Sequence, residues 1–276
     1  MSRIIQISDP HIVAPGALTC GVVDTAAALR GLVQQVNSIL PAIGPVDLAV
    51  VTGDLTDHGR PEEYDHFREI MSDLQLPYRV VPGNHDVREK LRAAFQDRPW
   101  INSGSGPVNW RLDLGSCVVI GLDSSVPGVP YGAFTQETLD WLEDHLVQLQ
   151  DCPLLLMFHH PPVKTGIVPM DAQNLRDSLA LKVLLRGYAG TCRIACGHVH
   201  RMLTTSFAGH PLVIAPGSSH AVTLDLRADS PNSLTLEPSG MVLHSLAMPS
   251  AEDPDPDYVS QMIPASACEG PYPFEG

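Results

Sequence analysis

Five short runs of β-forming residues in this chain each end in a tip that carries Asp, Asn or His. Arg3-Ile4-Ile5-Gln6-Ile7 precedes Asp9-Pro10-His11, and the run from Val46 to Val51 precedes Gly53-Asp54. Tyr78 to Pro82 leads to Gly83-Asn84-His85-Asp86, and Leu154 to Phe158 leads to His159-His160-Pro161. Cys192 to Cys196 leads to Gly197-His198-Val199-His200. The Val46–Val51 run reads as a strand buried on both faces. Amphipathic segments with helical periodicity occupy residues 24–39, 61–74, 87–95, 135–149 and 174–185. Pro61 with Glu62-Glu63, and Thr135 ahead of Glu137 and a Leu139/Leu142/Leu146 stripe, are helix starts. Strands alternating with helices imply a largely parallel sheet in an α/β fold.

The tips offer oxygen and imidazole nitrogen ligands for two cations side by side, an arrangement suited to in-line attack on phosphorus. Asp9 and His11, two apart on an extended chain, point the same way. Asp54 has two carboxylate oxygens and suits a bridge. Asn84 brings a neutral carbonyl oxygen, and His85 beside it can serve as a proton donor. His198 and His200 share a face, although the turn between them can split them between two ions. Taken singly, each of these residues also reads as a turn or cap residue.

The order D-x-H, G-D, G-N-H-D, H-x-P and G-H-x-H, spanning residues 4 to 220, resembles the calcineurin-like metallophosphoesterase superfamily. The stretch from Gly53 to Tyr64, with Phe158-His159-His160-Pro161-Pro162, is most similar to bacterial class III cyclic-nucleotide phosphodiesterases and related glycerophosphodiesterases. The resemblance implies a four-layer αββα sandwich with two mixed sheets. It implies two divalent ions (Fe, Mn, Zn or Co), one held by Asp9, His11, Asp54 and His200, the other by Asp54, Asn84, His159 and His198. It places His85 as the catalytic group facing the substrate, Asp57 as the residue that orients His85, and His220 near the substrate. His58 is a second substrate-side candidate, though on its own it reads as a surface histidine, and His160 is expected to support the site rather than ligate. Absence of tyrosine at Asp57 and of arginine at His58 disfavours the purple acid and phosphoprotein phosphatases. The implied activity is hydrolysis of small phosphodiesters, either cyclic nucleotides such as 3',5'-cAMP or glycerophosphodiesters. A phosphomonoesterase, a nucleotide-sugar or phospholipid-precursor hydrolase, and a non-catalytic metal-binding scaffold are the alternatives.

A net charge of −14 with no basic stripe excludes a nucleic-acid polymer as partner. No apolar run approaches the ~20 residues that a bilayer span requires. The N-terminus enters a strand directly, without a basic and then apolar leader, so a cytoplasmic location is the default expectation. Six cysteines form no C-x-x-C pair and read as free thiols in a reducing compartment. After residue 190, short strand-like runs separated by turns suggest hairpins forming a second sheet packed on the first. A catalytic domain over 1–248 is expected, with 221–248 as a cap or dimerisation element and 249–276 as a Pro-rich acidic tail, disordered or laid along a neighbouring subunit. Cys20 and Asp24 are candidates to line the cleft, and a homodimer or larger assembly is expected.

Overall fold

In the computed structural model, residues 1–101, 104–246 and 258–274 are described. The chain runs β1 (Ser2–Ile7), α1 (Thr25–Ile43), β2 (Leu48–Thr52), α2 (Pro61–Met71), β3 (Tyr78–Val81), α3 (Arg88–Ala94), β4 (Trp110–Asp113) and β5 (Val118–Gly121). It continues with α4 (Gln136–Leu149), β6 (Leu154–Met157), α5 (Val168–Asp171), α6 (Leu179–Gly187), β7 (Cys192–Cys196), β8 (Leu203–Phe207) and β9 (His210–Ile214). The last elements are β10 (Ala221–Val222), β11 (Leu234–Thr235), β12 (Gly240–Leu246) and β13 (Tyr258–Pro264).

Helix starts follow local chemistry. Asp24 caps α1 by accepting from Ala27 N at 2.8 Å, and Leu29, Leu32, Val33 and Val36 form its buried stripe. Pro61 opens α2 where no backbone donor is needed, and the Glu63 carboxylate returns to Arg60 N at 3.1 Å. Thr135 Oγ1 caps α4 by accepting from Thr138 N.

Two sheets result, in strand orders β13-β12-β1-β2-β3 and β4-β5-β6-β7-β9-β8, and β10 and β11 form a separate ribbon. Strands β1, β2 and β3 are mutually parallel, as are β5, β6, β7 and β9. Alternate residues face opposite sides of a strand. Ile5, Ile7, Ala49, Val51 and Val80 therefore pack against α1, α2 and α3. Val118, Ile120, Leu154, Leu156 and Ile194 pack against α4 and α6. Ile4, Leu48, Val50 and Val81 meet Val119, Leu155, Met157 and Ala195 between the sheets. This is the expected four-layer αββα sandwich.

The second sheet is not made of late hairpins alone. It begins with the hairpin β4–β5, whose apolar run from Val118 to Leu122 ends at Asp123 rather than at one of the expected metal ligands. Strand β12 leaves it and pairs antiparallel with β1. The helix expected from residue 174 starts at Leu179, after the short α5. Part of the tail also departs from expectation, because β13 pairs with β12 along its whole length as the edge of the first sheet. Residues 249–257 and 275–276 of that tail lie outside the described residues.

Candidate metal centre

Parallel strands in each sheet bring their C-terminal ends to one edge, and face-to-face packing brings the two edges together. Asp9 N donates to Gly53 O, His11 N donates to Asp54 O, and Gly197 N donates to His159 O. Across the sheets, His198 N donates to Asp9 Oδ1 at 3.0 Å and His159 Nδ1 donates to Thr52 O at 2.8 Å. Asp9, His11, Asp54, His198 and His200 all adopt positive φ, between 45° and 72°. Non-glycine residues avoid this region, and five of them here mark a site where backbone strain is tolerated. Gly53 answers a separate demand: its φ is +92°, and an added Cβ would lie 2.3 Å from His159 Nδ1.

The structure brings all seven sequence-predicted ligand residues together. Asp54 Oδ2 lies 3.4 Å from His11 Nε2 and 3.3 Å from His159 Nε2. On one side, His11 Nε2 is 3.1 Å from His200 Nε2, which is 3.4 Å from Asp9 Oδ1. On the other, His159 Nε2 is 3.2 Å from Asn84 Oδ1 and 3.3 Å from His198 Nδ1. Atoms about 2.1 Å from a common ion stand about 3.0 Å apart at an octahedral edge and about 3.4 Å apart at a tetrahedral one. The observed spacings fit that range.

Protonation fits as well. His11 and His159 each donate Nδ1–H, to Asp57 Oδ1 at 3.0 Å and to the Thr52 carbonyl, so both aim Nε2 into the cluster. Burial, then neighbouring imidazoles, holds His198 and His200 well below the ordinary histidine value, so both are neutral donors. Burial alone would raise the Asp54 pKa, but His159 and His85 outweigh it and hold the carboxyl well below its usual range. The converse holds for His159 in the metal-free protein, where Asp54 overcomes burial and pushes the imidazole up to about 9, so a metal ion would have to displace the Nε2 proton. Among the described residues neither Asp9 nor Asp54 is paired with a lysine or arginine. Buried carboxylates in such surroundings call for cations, and the residues fit a divalent metal pair.

His160 also lies within reach of His159 and His198. Its Nδ1 is engaged by Ser124 Oγ at 2.8 Å, and its buried Nε2 has no hydrogen-bond partner among the described residues. His85 is 40 % exposed, and its Nδ1 donates to the backbone carbonyl of Asp57 at 2.8 Å. The Asp57 carboxylate stands 3.8 Å from that nitrogen and bonds His11 instead. The contact between Asp57 and His85 is thus made by the Asp57 main chain. Its carboxylate serves His11, a role the sequence reading missed.

A cleft of about 380 Å³ opens over the cluster, lined by His11, Cys20, Asn84, His85, Met170, Gln173, His220 and Asn232 among others. His220 packs edge-on to His200 at 4.6 Å, and burial pushes its imidazole down to about 3. His58 lies outside this cleft. It bonds Glu63 Oε1 and lines an adjoining depression of about 470 Å³ with Arg88, Glu89 and residues 125–128. Cys20 lines the cleft as expected, whereas Asp24 is occupied as the α1 cap. Two supporting acids were not singled out in the sequence. Asp86, fourth in the third tip, accepts from Gly83 N, Leu55 N and Tyr64 Oη. Asp123 follows β5 and pairs with Arg88 Nε at 2.6 Å.

The calcineurin-like phosphoesterase family model matches residues 2–202. The chain is 38 % identical to a probable glycerophosphodiester phosphodiesterase of Arcobacter nitrofigilis over 98 % of its own length and 96 % of the relative's. It is 30 % identical to a 3',5'-cyclic adenosine monophosphate phosphodiesterase of Escherichia coli, covering 85 % of this chain and 84 % of that one. Among solved structures, a dimetal phosphatase from Danio rerio superposes with a TM-score of 0.63 at 15 % identity, over 88 % of this chain and 92 % of that one, a likeness of fold. With this match and the donor cluster in place, the chain belongs to the calcineurin-like phosphoesterase family and is a metal-dependent phosphoester hydrolase.

Proposed function

We propose that the protein hydrolyses small phosphodiesters with two divalent cations bound, one among Asp9, His11, Asp54 and His200 and the other among Asp54, Asn84, His159 and His198. The observation that carries this reading is the position of Asp54 Oδ2, within 3.4 Å of a donor nitrogen in each group. The mixed nitrogen and oxygen donors suit Fe(II), Mn(II), Zn(II) or Co(II). When bound, such a pair supplies Lewis acidity toward phosphoryl oxygens and a water acidic enough to attack phosphorus.

The chain's own residues do the rest. His85 anchors Nδ1–H on the Asp57 carbonyl and leaves Nε2 for the cleft, where its protonated form donates to a phosphoryl oxygen or to the departing alkoxide. His220, beside His200, also lines the substrate space. His58 contributes from the adjoining depression, which shares Asp57, Asn84 and His85 with the main cleft. A phosphorus centre held at His85 thus has room for one ester arm on each side, as a diester needs. The names of the relatives, a glycerophosphodiester and a cyclic AMP phosphodiesterase, support the same substrate class.

A reducing, cytoplasmic setting is part of this reading, supported by six unpaired cysteines. So is assembly into a homodimer or larger, supported by exposed Leu224, Leu226 and Leu236 around the β10–β11 ribbon. No helix among the described residues is long and apolar enough to cross a membrane.

Asp54→Ala or Asn84→Ala should abolish hydrolysis of bis(p-nitrophenyl) phosphate by metal-loaded protein. Full turnover at normal metal content would reject the assignment. Rates on cyclic AMP, glycerophosphodiesters and p-nitrophenyl phosphate then separate the diester classes from a monoesterase.

A further inference from the structure

The layer between the sheets changes character along its length. On the first strand Ile4 and Gln6 share a face, and on the second Leu48, Val50 and Thr52 do. The apolar members belong to the inter-sheet core, whereas Gln6 and Thr52, with Ser8 and His244 beside them, are fully buried polar groups. Such groups persist only as a satisfied network.

That network runs one way. Arg193 Nη1 donates to Ser260 Oγ at 3.1 Å, and Ser260 Oγ lies 2.8 Å from His244 Nδ1. The Cys196 carbonyl can only accept, so Gln6 turns its Nε2 toward it and its Oε1 toward His244 Nε2, which donates at 3.0 Å. His244, pushed down to about 3 by burial and hence neutral, then accepts the Ser260 hydroxyl proton on Nδ1. The Gln6 amide is thereby fixed, and its Nε2 donates to Cys196 O at 2.8 Å and to Thr52 Oγ1 at 2.9 Å. The Thr52 hydroxyl passes its proton on to Ser8 Oγ at 2.7 Å. Ser8, Thr52 and Cys196 immediately precede Asp9, Gly53-Asp54 and Gly197-His198. One side-chain amide therefore links the roots of three of the five ligand-bearing tips.

We propose that Gln6 and His244 are positioning residues for the metal centre, and that β13, which lies beyond the region matched by the family model, holds them through Ser260. The proposal rests on the metal-centre reading above. Groups behind metal ligands govern affinity because they fix the ligands' approach, typically by about 10- to 100-fold.

The test is calorimetric titration of Mn(II) into metal-free full-length protein, with melting curves of the same samples and kcat at saturating Mn(II). Gln6→Met and His244→Leu should weaken Mn(II) binding by about 10- to 100-fold and lower kcat. His244→Gln, which can still donate toward Gln6 and accept from Ser260, should recover most of the affinity. Val50→Ala, at the apolar end of the same layer, should lower the melting temperature and leave affinity unchanged. Should the internal variants not fold, Ser260→Ala, on the edge strand, reads the same shift in affinity. Wild-type affinity and kcat in Gln6→Met, His244→Leu or a folded Ser260→Ala, with only the melting temperature reduced, would overturn the proposal. Wild-type protein that takes up no Mn(II) would instead overturn the metal-centre reading on which it rests.

Discussion

The two ends of the inter-sheet layer are built from the same strands and in the same register, yet they do opposite work. At one end Ile4, Leu48, Val50, Leu155 and Met157 are fully or almost fully buried and apolar, and they hold the two sheets together. Two residues further along, the same inward faces present Gln6, Thr52 and His159, also fully buried. Strand periodicity makes the site a continuation of the core, with the side-chain chemistry changed and the geometry retained. Stability and metal chemistry should therefore separate along the layer, and substitutions at either end can test that division.

The largest effect is expected at the apolar end. Leu155→Ala removes a fully buried side chain from between two sheets that have little freedom to close up. It should destabilise the fold by about 2–5 kcal/mol, measured by denaturant unfolding. The protein that remains folded should bind Mn(II) as the wild type does. A loss of metal affinity comparable to the loss of stability would show that the two ends are not separable.

The opposite outcome is expected for Gly53→Ala at the polar end. The added methyl would sit 2.3 Å from His159 Nδ1, on a backbone with φ of +92°. His159 or the Asp54 tip must shift, and a displacement of about 1 Å in a site of this kind costs about 100-fold in rate. Steady-state kinetics on bis(p-nitrophenyl) phosphate read that loss directly. Activity within a few-fold of wild type would mean that the tip has more freedom than its packing indicates.

This division also explains how much could be read from the sequence. Five strands were legible because each combines a β-type run with a polar tip, and the tips carry all seven residues that the structure gathers. Hairpin β4–β5 was not, because the acid just beyond it, Asp123, belongs to none of the five motifs and instead anchors Arg88. Strand β12 was placed in the wrong sheet, since a short apolar run says nothing about which edge it will join. Strand β13 was read as tail because Pro and acidic residues around it dominate the composition, while its partner strand is set by tertiary pairing. The resemblance implies only that Asp57 orients His85. In the fold the main-chain carbonyl takes the bond from His85 and leaves the carboxylate to His11.

Asp57 yields the smallest and most specific prediction. Asp57→Asn keeps the shape and the backbone carbonyl that holds His85 but removes the charge behind His11, and should weaken metal binding by about 10-fold, the low end for such partners. In the metal-free protein the pair also has a defined pH window. Burial raises the Asp57 carboxyl, but the His11 bond outweighs it and leaves the pKa below 3.8. Burial lowers His11, but the Asp57 bond and the Asp54 charge outweigh it and leave the pKa above 6.5. A depressed acid stabilises the fold above its unfolded value and loses that contribution as pH falls through the folded one. A raised base stabilises the fold below its unfolded value and loses that contribution as pH rises through the folded one. The pair is thus fully stabilising between 3.8 and 6.5 and weakens outside that range. Melting temperatures of metal-free wild type and Asp57→Asn should differ most inside that interval and converge on either side. A difference independent of pH would mean that the carboxylate acts on His11 through shape alone.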